Sequence, residues 1–138
     1  MSGGAPVFVE VALEDRLGRG RRVAVKFGAP WCSMCAHLER EVLATAEGRA
    51  LFEGLETVSA DFDASPALAR RLAILDLPTV VVLAPDGAEV GRVVGFEDPR
   101  AWIAAARAAV RAEDPIPDLR AAAASGATSA MRALGEAL

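Results

Sequence analysis

The sequence predicts an α/β fold, a central mixed β-sheet flanked by helices, and three observations carry that prediction. Apolar runs at Val23–Gly28 and Thr57–Phe62 are separated by a stretch of helical periodicity, the pattern of a strand–helix–strand unit. A third run, Thr79 to Ala84, is joined to Glu89–Val94 only by Pro85-Asp86-Gly87, so these two strands form an antiparallel hairpin. The chain has 138 residues, 53% hydrophobic and 25% charged, which suits one globular domain able to close a core without staples.

Taken in order, Val7 to Leu13 alternates loosely and is expected as a first strand. Glu14 to Arg22 contains Gly18 and Gly20 and reads as a turn or one short helical turn. Val23–Gly28 is apolar on both faces apart from Lys26, as a central strand requires. Ala29-Pro30-Trp31 ends it. Met34, Leu38, Val42 and Leu43 then recur at helical spacing, with Glu39, Arg40 and Glu41 mostly opposite. Gly48 interrupts this helix, and Ala50, Leu51 and Leu55 continue a second short piece.

Beyond the next strand, Ser65-Pro66 starts a helix through a capping hydroxyl and a proline at the first helical position. That helix is expected to carry Leu68, Leu72 and Leu75 and to stop before Pro78. Asp98-Pro99 opens the last helix by the same logic, with Trp102, Ile103, Ala106 and Val110 on one stripe. Helices between strands imply parallel crossovers, and the hairpin makes the sheet mixed. From Glu113 the composition shifts: Pro115 and Pro117 break the helix, and an alanine-rich segment follows. The expected division is therefore an α/β domain over 1–112 and a helical C-terminal extension over 113–138.

Charge and cysteine usage bound the function. Fifteen basic and nineteen acidic side chains give a net charge of −4, and there is no dense basic stripe to grip nucleic acid. No apolar run reaches transmembrane length, and the start has neither a basic nor an apolar leader region, so the expected location is cytoplasmic. The two cysteines, Cys32 and Cys35, are too few for an iron–sulfur cluster. Ala36 stands where a c-type haem site needs histidine. Zinc would have these thiols and His37, short of a fourth ligand. As a staple, so short a loop is worth only about 2 kcal/mol. A reactive dithiol remains.

Three separated elements resemble the thioredoxin superfamily. The first is Phe27-Gly28-Ala29-Pro30-Trp31-Cys32-Ser33-Met34-Cys35, after a central strand and at a helix start. The second is Leu77-Pro78-Thr79 ahead of a strand, and the third is Gly95-Phe96 after the hairpin. The resemblance spans about Val7 to Ala112. Within the superfamily the chain is similar to thioredoxin-like domains resembling the C-terminal domain of the disulfide-bond reductase DsbD. It departs in its short stretch before the active-site strand, in Ser33-Met34 between the cysteines, and in Lys26, the chain's only lysine. Many family members place a buried acid at that point.

The resemblance implies a thioredoxin-like fold and a thiol–disulfide oxidoreductase in which Cys32 is the nucleophile and Cys35 the resolving thiol. A helix N-terminus at Cys32 favours its thiolate. Pro78, expected to be cis, would hold Leu77 and Thr79 toward an extended substrate, and Trp31, Ser33, Met34, Gly95 and Phe96 would contact it. Trp102 is expected as core. Lys26 would either influence a cysteine or extend to the sheet edge; both readings stay open. His37 reads as solvated or capping, and Asp61 and Asp63 as turn residues. The cysteines carry electrons themselves, so no prosthetic group is implied. The partners are protein disulfides and an upstream dithiol reductase, without nucleic acid. The extension would pack back on the domain, pair two chains as a homodimer, or stay loose. The rival reading is an interaction module in which groove and tail bind a partner and the dithiol is incidental.

Overall fold

The computed structural model describes residues 6–113; the expected C-terminal extension, and with it the homodimer alternative, lies outside the described residues. The described elements are strand β1 (Val23–Gly28), helix α1 (Ser33–Leu38), a π-helical turn (Glu39–Leu43), helix α2 (Ala46–Ala50) and strand β2 (Glu56–Asp61). Helix α3 (Pro66–Arg71), strands β3 (Thr79–Leu83) and β4 (Glu89–Val94) and helix α4 (Pro99–Arg111) follow. The sheet order is β2-β1-β3-β4, with β1 parallel to β2 and antiparallel to β3, and β3 antiparallel to β4.

Each face of the sheet carries its own core. Ala24, Val80, Val82 and Val93 meet Leu38, Val42, Leu43, Trp102 and Ile103 on one side. Val23, Val25, Phe27, Val81 and Leu83 meet Leu13, Ala69, Leu72 and Ile74 on the other. β1 and β3 are thus covered on both faces, which explains their near-continuous apolar sequence.

Five expectations are corrected. Val7–Leu13 forms no strand; it ends in a short 3₁₀ turn at Leu13–Asp15. Phe8 belongs to one core and Leu13 to the other, so the segment crosses the outer edge of β2 from face to face. Val9 accepts a backbone hydrogen bond from Ser59 at 2.6 Å on the way. Two cores pulling on alternate ends prevent a regular ladder.

The α3 connection is not a parallel crossover. β2 ends level with Gly28 and β3 begins opposite Phe27, at the same end of the sheet. A six-residue helix spans about 9 Å, half a strand's length, and does not carry the chain back to the other end.

Helix α3 also stops earlier than expected, at Arg71, with Leu72 as its C-cap. Ala73 adopts φ 55°, and the N–H groups of Ala73 and Ile74 bond to the carbonyls of Arg70 and Ala69, a Schellman-type end. Leu75 is consequently 89% exposed instead of buried. Ser65 begins the helix, but its side chain makes no capping bond; Asp98 does cap α4, accepting from the Ala101 N–H at 3.0 Å.

Gly48 does not interrupt a helix. It lies inside α2, where a β-carbon would sit 1.9 Å from the Val42 carbonyl oxygen, so glycine is what allows α2 to fold against the preceding turn. That turn is π-helical, with the Ala44 N–H bonding the Glu39 carbonyl at 2.9 Å. The wider turn lets Leu38, Val42 and Leu43 all point into the core.

Candidate active site

Strand β1 delivers the chain to the dithiol. After Gly28, the Cys32 N–H bonds the Ala29 carbonyl at 3.1 Å, and Cys32 becomes the N-cap of α1. Its Sγ accepts the Cys35 N–H at 3.1 Å, the role an N-cap oxygen usually plays. Cys32 and Cys35 are joined as a disulfide with their Cα atoms 5.3 Å apart. Cys32 is buried and Cys35 half-buried. A β-carbon on Gly28 would stand 3.5 Å from the Cys35 sulfur, so Cys35 rests directly against the end of β1.

The Leu77–Pro78 peptide bond is cis. Because Thr79 pairs with Phe27, Pro78 lies level with Gly28 at the dithiol end of the sheet. The Pro78 carbonyl accepts the Gly95 N–H at 2.7 Å, which ties the loop after β4 to the proline loop. Gly95 has φ 77°, a conformation glycine adopts without strain. A groove of about 520 Å³ runs beside this junction, lined by Met34, Leu77, Val94, Gly95, Phe96 and Trp102.

The sequence-predicted residues fall into distinct surroundings. Trp31 is 66% exposed, and its indole N–H donates to Asp63 Oδ2 at 2.6 Å. Ser33 and Met34 are exposed at the start of α1. Leu77 is half-buried at the groove. The Thr79 side chain is buried and donates to the Asp76 carbonyl at 2.6 Å. Phe96 is both groove wall and core. Trp102 is core. His37 is half-buried, its Nδ1 2.9 Å from Glu41. Asp61 Oδ1 accepts the N–H groups of Asp63 and Ala64 and so builds the turn after β2.

Lys26 projects from the opposite face of β1 to Val25 and Phe27. Its ammonium is paired with Glu39 and lies 5.5 Å from the centroid of the Phe8 ring. Beside this pair is a cavity of about 320 Å³ whose walls include Gly28, Cys32, Cys35 and Asp61. Three of these neighbours escaped the sequence reading. Glu39 lies one helical turn after Cys35, a spacing that was available as a signal. Asp63 is 32 residues from Trp31 and gave none. Gly28 read as the end of a strand and as part of the dithiol motif, without its contact to the Cys35 sulfur.

Among the described residues no helix is long and apolar enough to cross a membrane. A Cys-x-x-Cys disulfide capping a helix at the carboxyl end of a central strand, with a cis-proline loop level with it, defines a thiol–disulfide exchange site. A family model described as a thioredoxin-like domain matches residues 9–109. The chain is 37% identical over 83 residues to a thioredoxin of Mycolicibacterium smegmatis, covering 59% of this chain and 71% of that one. It is 32% identical over 119 residues to the thiol:disulfide interchange protein DsbD of Cronobacter sakazakii, covering 72% of this chain. It spans about a fifth of that protein's length, 21%. The solution structure of a thioredoxin from Thermus thermophilus superimposes with a TM-score of 0.63 at 24% identity, over 75% of this chain and 86% of that one. The chain belongs to the thioredoxin-like family of thiol–disulfide oxidoreductases.

Proposed function

We propose that the chain reduces disulfides in partner proteins through its Cys-Ser-Met-Cys dithiol. The observation that carries this reading is the Cys32–Cys35 disulfide capping α1, with a backbone N–H already aimed at the Cys32 sulfur. In the reduced protein that N–H favours the Cys32 thiolate. The thiolate attacks one sulfur of a partner disulfide; that bond breaks, and the partner's other sulfur leaves as a thiolate and takes a proton. The Cys35 thiolate then attacks Cys32 Sγ, the mixed disulfide breaks, and the second partner thiol departs. Two electrons and two protons have passed to the partner. An upstream dithiol reductase restores the pair.

Pro78 orients the neighbouring main chain, Leu77, Gly95 and Phe96 form the docking groove, and Trp31, Ser33 and Met34 meet the partner at the helix start. Lys26 supplies the charge behind the pair. The only two cysteines are those of the active pair, a usage that suits a reducing compartment such as the cytoplasm.

The test is a redox titration against dithiol buffers, read by tryptophan fluorescence. Trp31 and Trp102 give the whole signal because the chain has no tyrosine. A two-electron transition near about −270 mV supports a reductase, and one near about −120 mV points to an oxidant. Absence of a transition, or partner binding and function that survive Cys32→Ser with Cys35→Ser, favours the interaction-module reading.

A further inference from the structure

The groove beside the proline loop carries charge of one sign only. Its ionisable wall residues are Asp76 and Glu97, both exposed. Asp76 stands just before Leu77–Pro78 and Glu97 just after Gly95-Phe96, so the bond from the Gly95 N–H to the Pro78 carbonyl holds their two loops together. Neither carboxylate has a hydrogen bond or ion pair among the described residues. Elsewhere Glu39, Glu56 and Glu89 are each held by a basic side chain. The rest of the lining is largely apolar, with Met34 and Val94 open to solvent. Trp102, a further wall residue, is only 3% exposed, and its indole N–H has no acceptor. A core closed on itself satisfies such a donor. Here it is left over in a residue that borders an open groove.

An apolar trough beside unneutralised carboxylates suits one kind of occupant. Apolar side chains of an extended segment fill the trough, a lysine or arginine answers the carboxylates, and a main-chain carbonyl takes the spare indole N–H. We propose that Asp76 and Glu97 are specificity-determining residues, which select partner segments carrying a lysine or arginine close to the disulfide cysteine. Extended chains advance at a common rate per residue, so a segment lying along the proline loop passes Asp76 about two residues from where it passes Pro78. The basic side chain is therefore expected about two positions from the cysteine. An acidic side chain at the same place is repelled.

This rests on the reading of the chain as a reducer of partner disulfides, and it says which partners. The test uses two peptides with apolar flanks, identical except for lysine or glutamate two positions from a cysteine. That cysteine is joined as a disulfide to a chromophoric thiol, and colour release by the reduced protein gives kcat/KM. The lysine peptide should react about tenfold faster at low salt, and the gap should narrow in about 0.5 M salt. Asp76→Asn together with Glu97→Gln should remove most of the gap. Asp98 is left in place because it caps α4. Glu53→Gln, which removes a carboxylate between α2 and β2, should leave the gap as it is.

Equal rates, a preference for glutamate, or a lysine preference that survives the double substitution in a folded protein would overturn the proposal. Fluorescence anisotropy of the same two peptides, labelled and with serine in place of cysteine, gives their affinities without any exchange chemistry. If the lysine peptide binds more tightly and neither disulfide is reduced, the selection stands and the reductase reading fails. If both peptides are reduced alike and bound alike, the reductase reading stands and the selection fails.

Discussion

Arg92 on β4 donates to the Leu72 carbonyl at 2.6 Å and to the Ala73 carbonyl at 3.3 Å, while the same guanidinium is held by both carboxylate oxygens of Glu89. The edge strand thus fastens the end of α3, from which the chain runs to the cis-proline loop. The Glu89 carboxylate also holds the Arg92 guanidinium above its ordinary range, so its charge is permanent. Arg92→Met should leave two helix-end carbonyls without these donors. We expect a loss of about 1–2 kcal/mol in denaturant unfolding, with faster backbone amide exchange over residues 72–77.

Ala73 in the left-handed region makes an opposite prediction. Glycine adopts φ 55° freely, whereas alanine strains against its own carbonyl. Ala73→Gly should stabilise the fold by about 0.5–1 kcal/mol, net of the extra freedom glycine gains when unfolded. A raised thermal midpoint checks this.

Gly48→Ala should be severe. A methyl placed 1.9 Å from a backbone oxygen cannot be accommodated by a rotamer change, so the turn between α1 and α2 must move. The expected loss is about 3 kcal/mol, lowering the thermal midpoint by roughly 15 °C.

The pH dependence of stability has an identifiable contributor at the far end of the sheet. A hydrogen bond from Arg16 is the main cause holding Glu56 below the usual carboxylate range, with Arg19 and Arg21 adding to it at 3.8 and 3.9 Å. A carboxylate with a lowered folded pKa contributes stability that is fully present above its unfolded pKa. That contribution is lost as pH falls through the folded value. Glu56→Gln should therefore flatten the acid side of the stability profile while leaving the redox titration unmoved.

Loosening Trp31 tests the exposed side of the active site. Asp63→Ala removes the acceptor of its indole N–H, and at this exposed position the stability loss should stay under about 1 kcal/mol. Tryptophan fluorescence should broaden its response to oxidation, and partner reduction should slow several-fold.

Sequence reasoning reached the parts of this molecule that local chemistry dictates. The apolar run through Val25 and Phe27, the turn at Asp86-Gly87, and the Asp98-Pro99 helix start each declare themselves within a few residues. The same holds for the cysteine spacing. What it missed depends on distant partners. The N-terminal segment alternates like a strand, yet Phe8 and Leu13 answer to different cores. Leu75 keeps helical phase with Leu68, but the reversal at Ala73 ends the helix first. Gly48 looks like a breaker until the Val42 carbonyl is beside it. Asp63 acquires its role only when the turn at Asp61 swings it under Trp31.

The main chain around Val9 that shields β2 has a counterpart at the other margin of the sheet. β4 carries the charged Glu89 and Arg92, and its register with β3 shifts at Val82/Leu83. A flat, evenly spaced margin invites a neighbouring molecule to add its own strand, whereas a kinked and charged one does not. One margin is covered near Val9 and the other is irregular, so neither offers the even run of free backbone groups that a neighbouring molecule's strand would need.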